Sequence, residues 1–318
     1  MPFFFAMSGF LLAWFYLKPG SVVQPARFFA KRMSRLFPLY WIVLCVVAAV
    51  EVFALKHADA VPGGWDWWAT FFLLPQDASV VGGTGAPVLY PAWVLQYELV
   101  GYLMITLALA SRWARFAYLF FFPVCYLMWA ESDVFTLRFM GSDWLLVFWF
   151  GAVAACAART WTNAHLQWVM RAAVACLGAA AFVHWMLPSA MDDWKTFVNL
   201  DLFYGAGFAL LMTGLVNASR NKRAPVRTSA WSAGVTRFAV WSYAIFLLHA
   251  PVITFVCKLL VTLGFSDGLG WGLAVGGSLV VSVIAGAVAQ RAIEAPVDRM
   301  IVQGWQRLRG RASAEPIA

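Results

Sequence analysis

Charge is scarce in this chain. Asp, Glu, Lys and Arg make up 12% of its 318 residues, about half the share in an ordinary soluble domain. There are four histidines and five cysteines. Cys45, Cys125, Cys156, Cys176 and Cys257 stand far apart in apolar runs with no Cys-x-x-Cys pair. No disulfide frame or zinc site is readable from that spacing, and the cysteines read as small buried apolar residues. A repeat of 20–50 residues is absent, as is the matched pair of broken helices that marks an inverted-repeat transporter. What fills the chain is apolar: 63% of residues, with a mean hydropathy of +0.74. A soluble body must show much of its surface to water. This excludes a soluble enzyme, a disordered chain and a disulfide-stapled secreted domain. The expected fold class is an all-α, polytopic transmembrane helix bundle. The 18 Trp, 27 Phe and 9 Tyr fit it, since aromatic rings favour membrane interfaces.

A bilayer-crossing helix takes about 20 mainly apolar residues. Candidate spans are 2–17, 38–55, 91–110, 116–131, 143–158, 168–187, 200–217, 238–260 and 270–290. Trp65–Leu74 is apolar but too short to cross, and reads as an interfacial or re-entrant stretch. Nineteen of the 23 basic residues fall in 18–37, 111–115, 159–167, 218–237 and 291–318 or at Arg171, leaving Lys56, Arg138, Lys195 and Lys258 elsewhere. Only Glu294, Asp298 and Glu315 among the acidic residues share the basic connections. That bias places the basic connections and the C-terminus in the cytoplasm. The net charge of +8 therefore reports topology, and no nucleic-acid partner is needed to explain it. The expected organisation is one helix bundle over 1–304 and a polar cytoplasmic tail over 305–318, in the inner (plasma) membrane. With 18–37 inside, the run 2–17 must begin outside, yet it lacks the basic region of a signal peptide. Either this short, uncharged N-terminus translocates, or a helix preceding Met1 is absent from this sequence.

Five stretches have the residues for chemistry. In Phe3-Phe4-Phe5-Ala6-Met7-Ser8-Gly9-Phe10, Ser8 and Gly9 let a neighbouring helix approach closely. Lys31 and Arg35 stand four apart with Arg32 one position over, giving one cationic helix face. It is either an anchor on lipid phosphates or a cradle for the phosphates of a cytoplasmic donor, held by guanidinium forks. Glu98 lies seven residues beyond Pro91, about 10 Å into its helix. An ionisable group at such depth is costly, and is either functional or hydrogen-bonded inside the bundle. His249 lies near the middle of its span, two residues before Pro251; it reads as a satisfied polar contact or as a catalytic group. Glu294 lies near Arg291 and Arg299, as in an end-of-helix ion network.

In this order the motifs resemble the acyltransferase-3 family of multi-pass membrane acyltransferases. The resemblance rests on Phe4–Leu11, on Arg32-x-x-Arg35-x-x-Pro38, and on Trp93-x-Leu95-x-x-Glu98. Ser242-Tyr243 with His249, and Ile293-Glu294-x-Pro296, complete it. Phe246 stands where the family commonly has Tyr. The resemblance implies a ten-helix bundle and an acyl-CoA donor, often acetyl-CoA, bound from the cytoplasm as a substrate with no permanent cofactor and no metal. It implies a sugar or other envelope hydroxyl as acceptor. On this basis Glu98 and His249 are the candidate catalytic residues. Lys31, Arg32 and Arg35 would hold the CoA phosphates, and Ser8 would line the passage between donor and acceptor. The family's important histidine, in a first helix, has no counterpart among the four here. The expectation is little or no acyl transfer from this chain, and a groove by Ser8 and Glu98 where the missing helix would pack. Two other classes fit the composition: a proton-coupled carrier of a small anionic or lipid-linked molecule, and a non-catalytic relative.

Cysteine labelling of intact cells checks the topology: probes at Asp77 or Asp193 should react and one at Arg223 should not. The reverse pattern overturns it. A version extended to an upstream start should outperform this chain in acyl transfer. Equal activity of the two places the proton-taking group within residues 1–318.

Overall fold

The computed structural model describes residues 1–318 apart from 19, 21–22, 82–84, 87, 162, 187–198, 222–229, 266–267 and 313–318. The labelling positions Asp193 and Arg223 lie outside the described residues, as does Lys195. All regular structure among the described residues is helical. Every expected span is a helix. They are α1 (Pro2–Tyr16), α2 (Pro25–Ala49, continued by a π-helical turn, Val50–Ala54), α4 (Ala92–Ala110), α5 (Arg112–Trp129), α7 (Asp143–Ala157), α8 (Asn163–Met186), α9 (Leu200–Asn221), α10 (Ala230–Thr262) and α11 (Gly268–Ala289). Short α3 (Gly64–Phe71) and α6 (Phe135–Met140) lie between them. A π-helical turn, Gln290–Glu294, leads into α12 (Ala295–Ala312), so the chain stays helical beyond 304.

Seven helical stretches among the described residues are long and apolar enough to cross a membrane. The two candidates that fall short do so for different reasons. Helix α1 has only 15 residues, and α5 opens on Arg112 and Arg115. Helices α2 and α10 start well before the expected 38 and 238. Pro38 and Pro251 stand inside them without ending them, because an interior proline removes one hydrogen bond and leaves a helical φ. The cationic run 27–35 is therefore continuous with its span.

The chain divides into two compact units, Met1–Phe29 with Tyr97–Pro225, and Ala30–Gln96 with Val226–Ala318. In the first, α1 packs on α7 through two glycines. A Cβ on Gly9 would lie 1.9 Å from the Phe148 carbonyl oxygen, and one on Gly151 would lie 1.9 Å from that of Ala6. Small residues allow such contact where lipid supplies no hydrophobic drive. Phe5 stands by Trp144 at one end. At the other, the Arg159 guanidinium donates to the carbonyls of Ala13 (2.9 Å), Trp14 and Leu17 (2.8 Å). It thereby satisfies the carbonyls that the end of α1 leaves without a partner. Helices α1 and α7 thus run parallel. Gly205 meets Val147, and Thr213 donates to the Ala154 carbonyl, so α9 runs the same way. Gly207 against Leu177 and Gly214 against Met170 turn α8 the other way. The C-terminal ends of α1, α7 and α9 therefore gather at one end of this unit, where Arg159 and Arg220 both meet Trp14.

In the second unit α10 and α11 are antiparallel, with Gly286 on Ile245 and Gly277 on Val256. The stretch Trp65–Leu74 folds back along α2. The Tyr40 hydroxyl donates to the Thr70 carbonyl (2.5 Å) and the Trp41 indole to that of Phe71 (2.9 Å). Tyr40 is 14 residues from Ala54, about 20 Å along the helix. Gln96 donates to the carbonyls of Leu74 and Gly85. Irregular backbone needs such partners wherever water is excluded, as an interfacial or a re-entrant stretch would.

The glycine contact gives a direct test. Gly151→Val must force α1 off α7, at a cost on the order of 3 kcal/mol, while Gly178→Val meets nothing within 4 Å. Thermal scans in detergent should show the first variant markedly destabilised and the second close to wild type.

Candidate functional site

The same crossing that brings α1 onto α7 sets Ser8 against α4. Gly101 on α4 lies over the Phe148 ring, where a Cβ would meet ring atoms at 2.7 Å. With α4 this close, the Ser8 hydroxyl donates to Glu98 Oε1 at 2.8 Å, and the Tyr102 hydroxyl to Oε2 at 2.8 Å. Glu98 is 6% exposed. Tyr102 is one helical turn beyond Glu98, so both oxygens of the carboxylate have a hydroxyl donor, one from each helix. Thr106 donates in turn to the Tyr102 carbonyl (2.6 Å). Ser8 and Glu98, which sequence reasoning placed along one groove, meet directly in one hydrogen-bonded site. Tyr102 was missed, although its i+4 spacing from Glu98 was the available signal.

Aromatic rings close the site on the side of the α1 and α7 N-termini. Fully buried Phe5 sits one turn before Ser8. It meets Tyr97 edge-on at 5.9 Å and Trp144 at 5.3 Å between ring centroids. Tyr97 stacks on Phe139 at 4.2 Å.

The other candidates lie in the second unit. Lys31 and Arg35 are exposed on α2, with Arg32 half-buried beside them. At Glu294, Arg299 Nε donates to the Ala295 carbonyl (3.1 Å), and Arg291 lies over the Trp241 ring. Glu294 itself is buried, with the charges of Arg35 and Asp298 in its surroundings. Tyr243, from the stretch that holds His249, donates its hydroxyl to the Leu36 carbonyl (2.6 Å), next to Arg35. Half-buried His249 sets Nδ1 against the Phe246 carbonyl of its own helix. A carbonyl can only accept, so Nδ1 carries the proton and Nε2 keeps the lone pair when the ring is neutral. Among the described residues no group of three His, Cys, Asp or Glu is placed to hold a metal ion.

A family model described as an acyltransferase domain matches residues 1–288. The chain is similar to Acyltransferase MdmB of Streptomyces mycarofaciens, with 27% identity over 94% of this chain and 80% of that protein. No solved structure matches.

The two hydroxyl donors are testable apart from activity. Ser8→Ala and Tyr102→Phe each leave a buried carboxylate oxygen short of a partner, at a cost of about 1–3 kcal/mol. Each should lower the thermal midpoint in detergent, and each should cost far less when Glu98 is already Leu. An equal loss in both backgrounds would mean that the hydroxyls act through packing alone.

Proposed function

Because the chain belongs to the acyltransferase-3 family, we propose that it is the membrane enzyme that moves an acyl group, in the first instance acetyl, from cytoplasmic acyl-CoA to a hydroxyl of a sugar or other envelope molecule. The observation that carries this reading is the buried Glu98 carboxylate, held by Ser8 and Tyr102 where α1, α4 and α7 meet. An ionisable group kept at such depth marks a site, and acyl transfer to a hydroxyl needs one. The hydroxyl oxygen attacks the thioester carbonyl carbon, the new C–O bond forms and the C–S bond breaks. CoA leaves as a thiolate, and the hydroxyl proton must pass to a base.

Glu98 is that base in this reading, in the place that the family resemblance gives to a histidine of an earlier helix. Ser8 and Tyr102 fix the rotamer of its carboxylate, so the proton is taken along one direction. The carboxylate then returns the proton to the departing thiolate. A base with a pKa near the working pH suits both steps. Ser8 also lines the passage from donor to acceptor. His249, with Nε2 free to accept when neutral, is the second proton acceptor to test. Lys31, Arg32 and Arg35 hold the CoA phosphates from the cytoplasm. In keeping with this orientation, the C-terminal ends of α1, α7 and α9 gather at one end of the first unit with Arg159 and Arg220, two of the residues that the charge bias puts inside.

Arg35 is exposed and lies in the electrostatic surroundings of Glu294, so a proposed donor contact must be separated from any effect on Glu294. Arg32→Ala/Arg35→Ala should weaken acyl-CoA binding about tenfold or more, as expected for charge-assisted hydrogen bonds of roughly 1.5–3 kcal/mol each. Glu294→Gln should leave that affinity intact. Unchanged affinity in a correctly inserted double variant would leave the run as a lipid anchor. Solute flux in vesicles without acyl transfer would point to a carrier.

A further inference from the structure

One cavity of the first unit, of about 240 Å³, opens beside the candidate site. It lies where α5 ends and α7 begins, at the end opposite the basic connections. Its aromatic wall is Tyr97 stacked on Phe139, with Trp144 beside them. Facing this wall are Glu131, Asp143 and Arg138. Asp143 lies within hydrogen-bonding reach of Tyr126 and Asn199, which also line the space. Between the cavity and Ser8 stands the Phe5 ring, which touches both Tyr97 and Trp144. Tyr97 itself adjoins Glu98 in the chain.

Three properties define what fits. The volume is below the roughly 300–1,000 Å³ of usual ligand pockets, enough for one ring-sized unit. Flat aromatic faces against clustered hydrogen-bonding groups match a molecule with an apolar C–H face and a rim of hydroxyls. Among the described residues two carboxylates stand against one guanidinium, with Asp143 half-buried and Glu131 and Arg138 exposed, so the described lining is net negative and repels a like charge.

We propose that this cavity is the acceptor's vestibule: it seats one polyhydroxylated ring without negative charge and rejects a ring bearing a carboxylate or phosphate. The Phe5 ring is the partition that an acceptor hydroxyl must pass to reach Glu98. This assignment rests on the acyl-transfer reading for its role, and on the cavity alone for its selectivity.

Equilibrium dialysis of the purified full chain in detergent tests it, with radiolabelled methyl glucoside and methyl glucuronide as probes. The glucoside should bind about tenfold more tightly than the glucuronide. Trp144→Ala should lower glucoside affinity about tenfold, Glu131→Lys should erase or invert the preference, and Arg138→Ala should widen it. Equal binding of both probes by the wild type, binding of neither, or an unchanged preference in both charge variants overturns the proposal. Acyl-CoA turnover by the wild type is measured separately. Turnover without glycoside preference rejects the vestibule and keeps the enzyme, while preference without turnover rejects the enzyme and keeps the cavity.

Discussion

Phe148 is the point on which the first unit turns. Its carbonyl oxygen faces Gly9 of α1, and its ring faces Gly101 of α4. One residue therefore sets how close both helices come, and any side chain at either glycine would separate them. Gly9 toward α7 fixes the rotation of α1, which leaves Ser8 turned toward α4. The hydrogen bond from Ser8 to Glu98 follows from backbone contact with no long side chain to adjust it. Arg159 secures the far end of the same short helix by three carbonyls. A helix too short to be anchored by its own apolar length is thus held by contact at its middle and by a cation at its end.

The helices were legible in the sequence because long apolar runs have few other solutions in a membrane. Their starts were less so: α2 and α10 extend into polar stretches where hydropathy falls away but helical bonding continues. The candidate site was half legible. Glu98 stood out by its depth, and Ser8 by its small neighbour, but their pairing spans 90 positions and depends on how three helices cross. The Arg159 clamp joins residues more than 140 positions apart, and nothing local announces it. At Glu294 the nearest arginines in sequence were the natural partners. Arg299 instead bonds the Ala295 carbonyl and Arg291 lies over the Trp241 ring, while Arg35, far away in sequence, comes into the surroundings of Glu294.

The first unit is organised by charge along its length. Arg159 and Arg220 lie at one end, the cavity lined by Glu131, Asp143 and Arg138 opens at the other, and Glu98 lies buried one turn beyond Phe5's contact with Tyr97. Such an order suits transfer between two compartments. In the proposed reaction a polyanionic donor would be drawn to the basic side, an uncharged acceptor would be selected at the other, and the proton-handling group would stay out of water, where hydrolysis would compete.

Thiol release from acetyl-CoA by wild-type and Glu98→Gln protein, reconstituted in vesicles and supplied with the same hydroxyl acceptor, tests the role of the buried carboxylate most directly. CoA affinity is measured on the same preparations. Loss of a positioned base is expected to lower the rate on the order of a hundredfold or more, with CoA affinity unchanged within about twofold. A Glu98→Gln protein that releases thiol at the wild-type rate would contradict the assignment of Glu98 as the group that takes the proton.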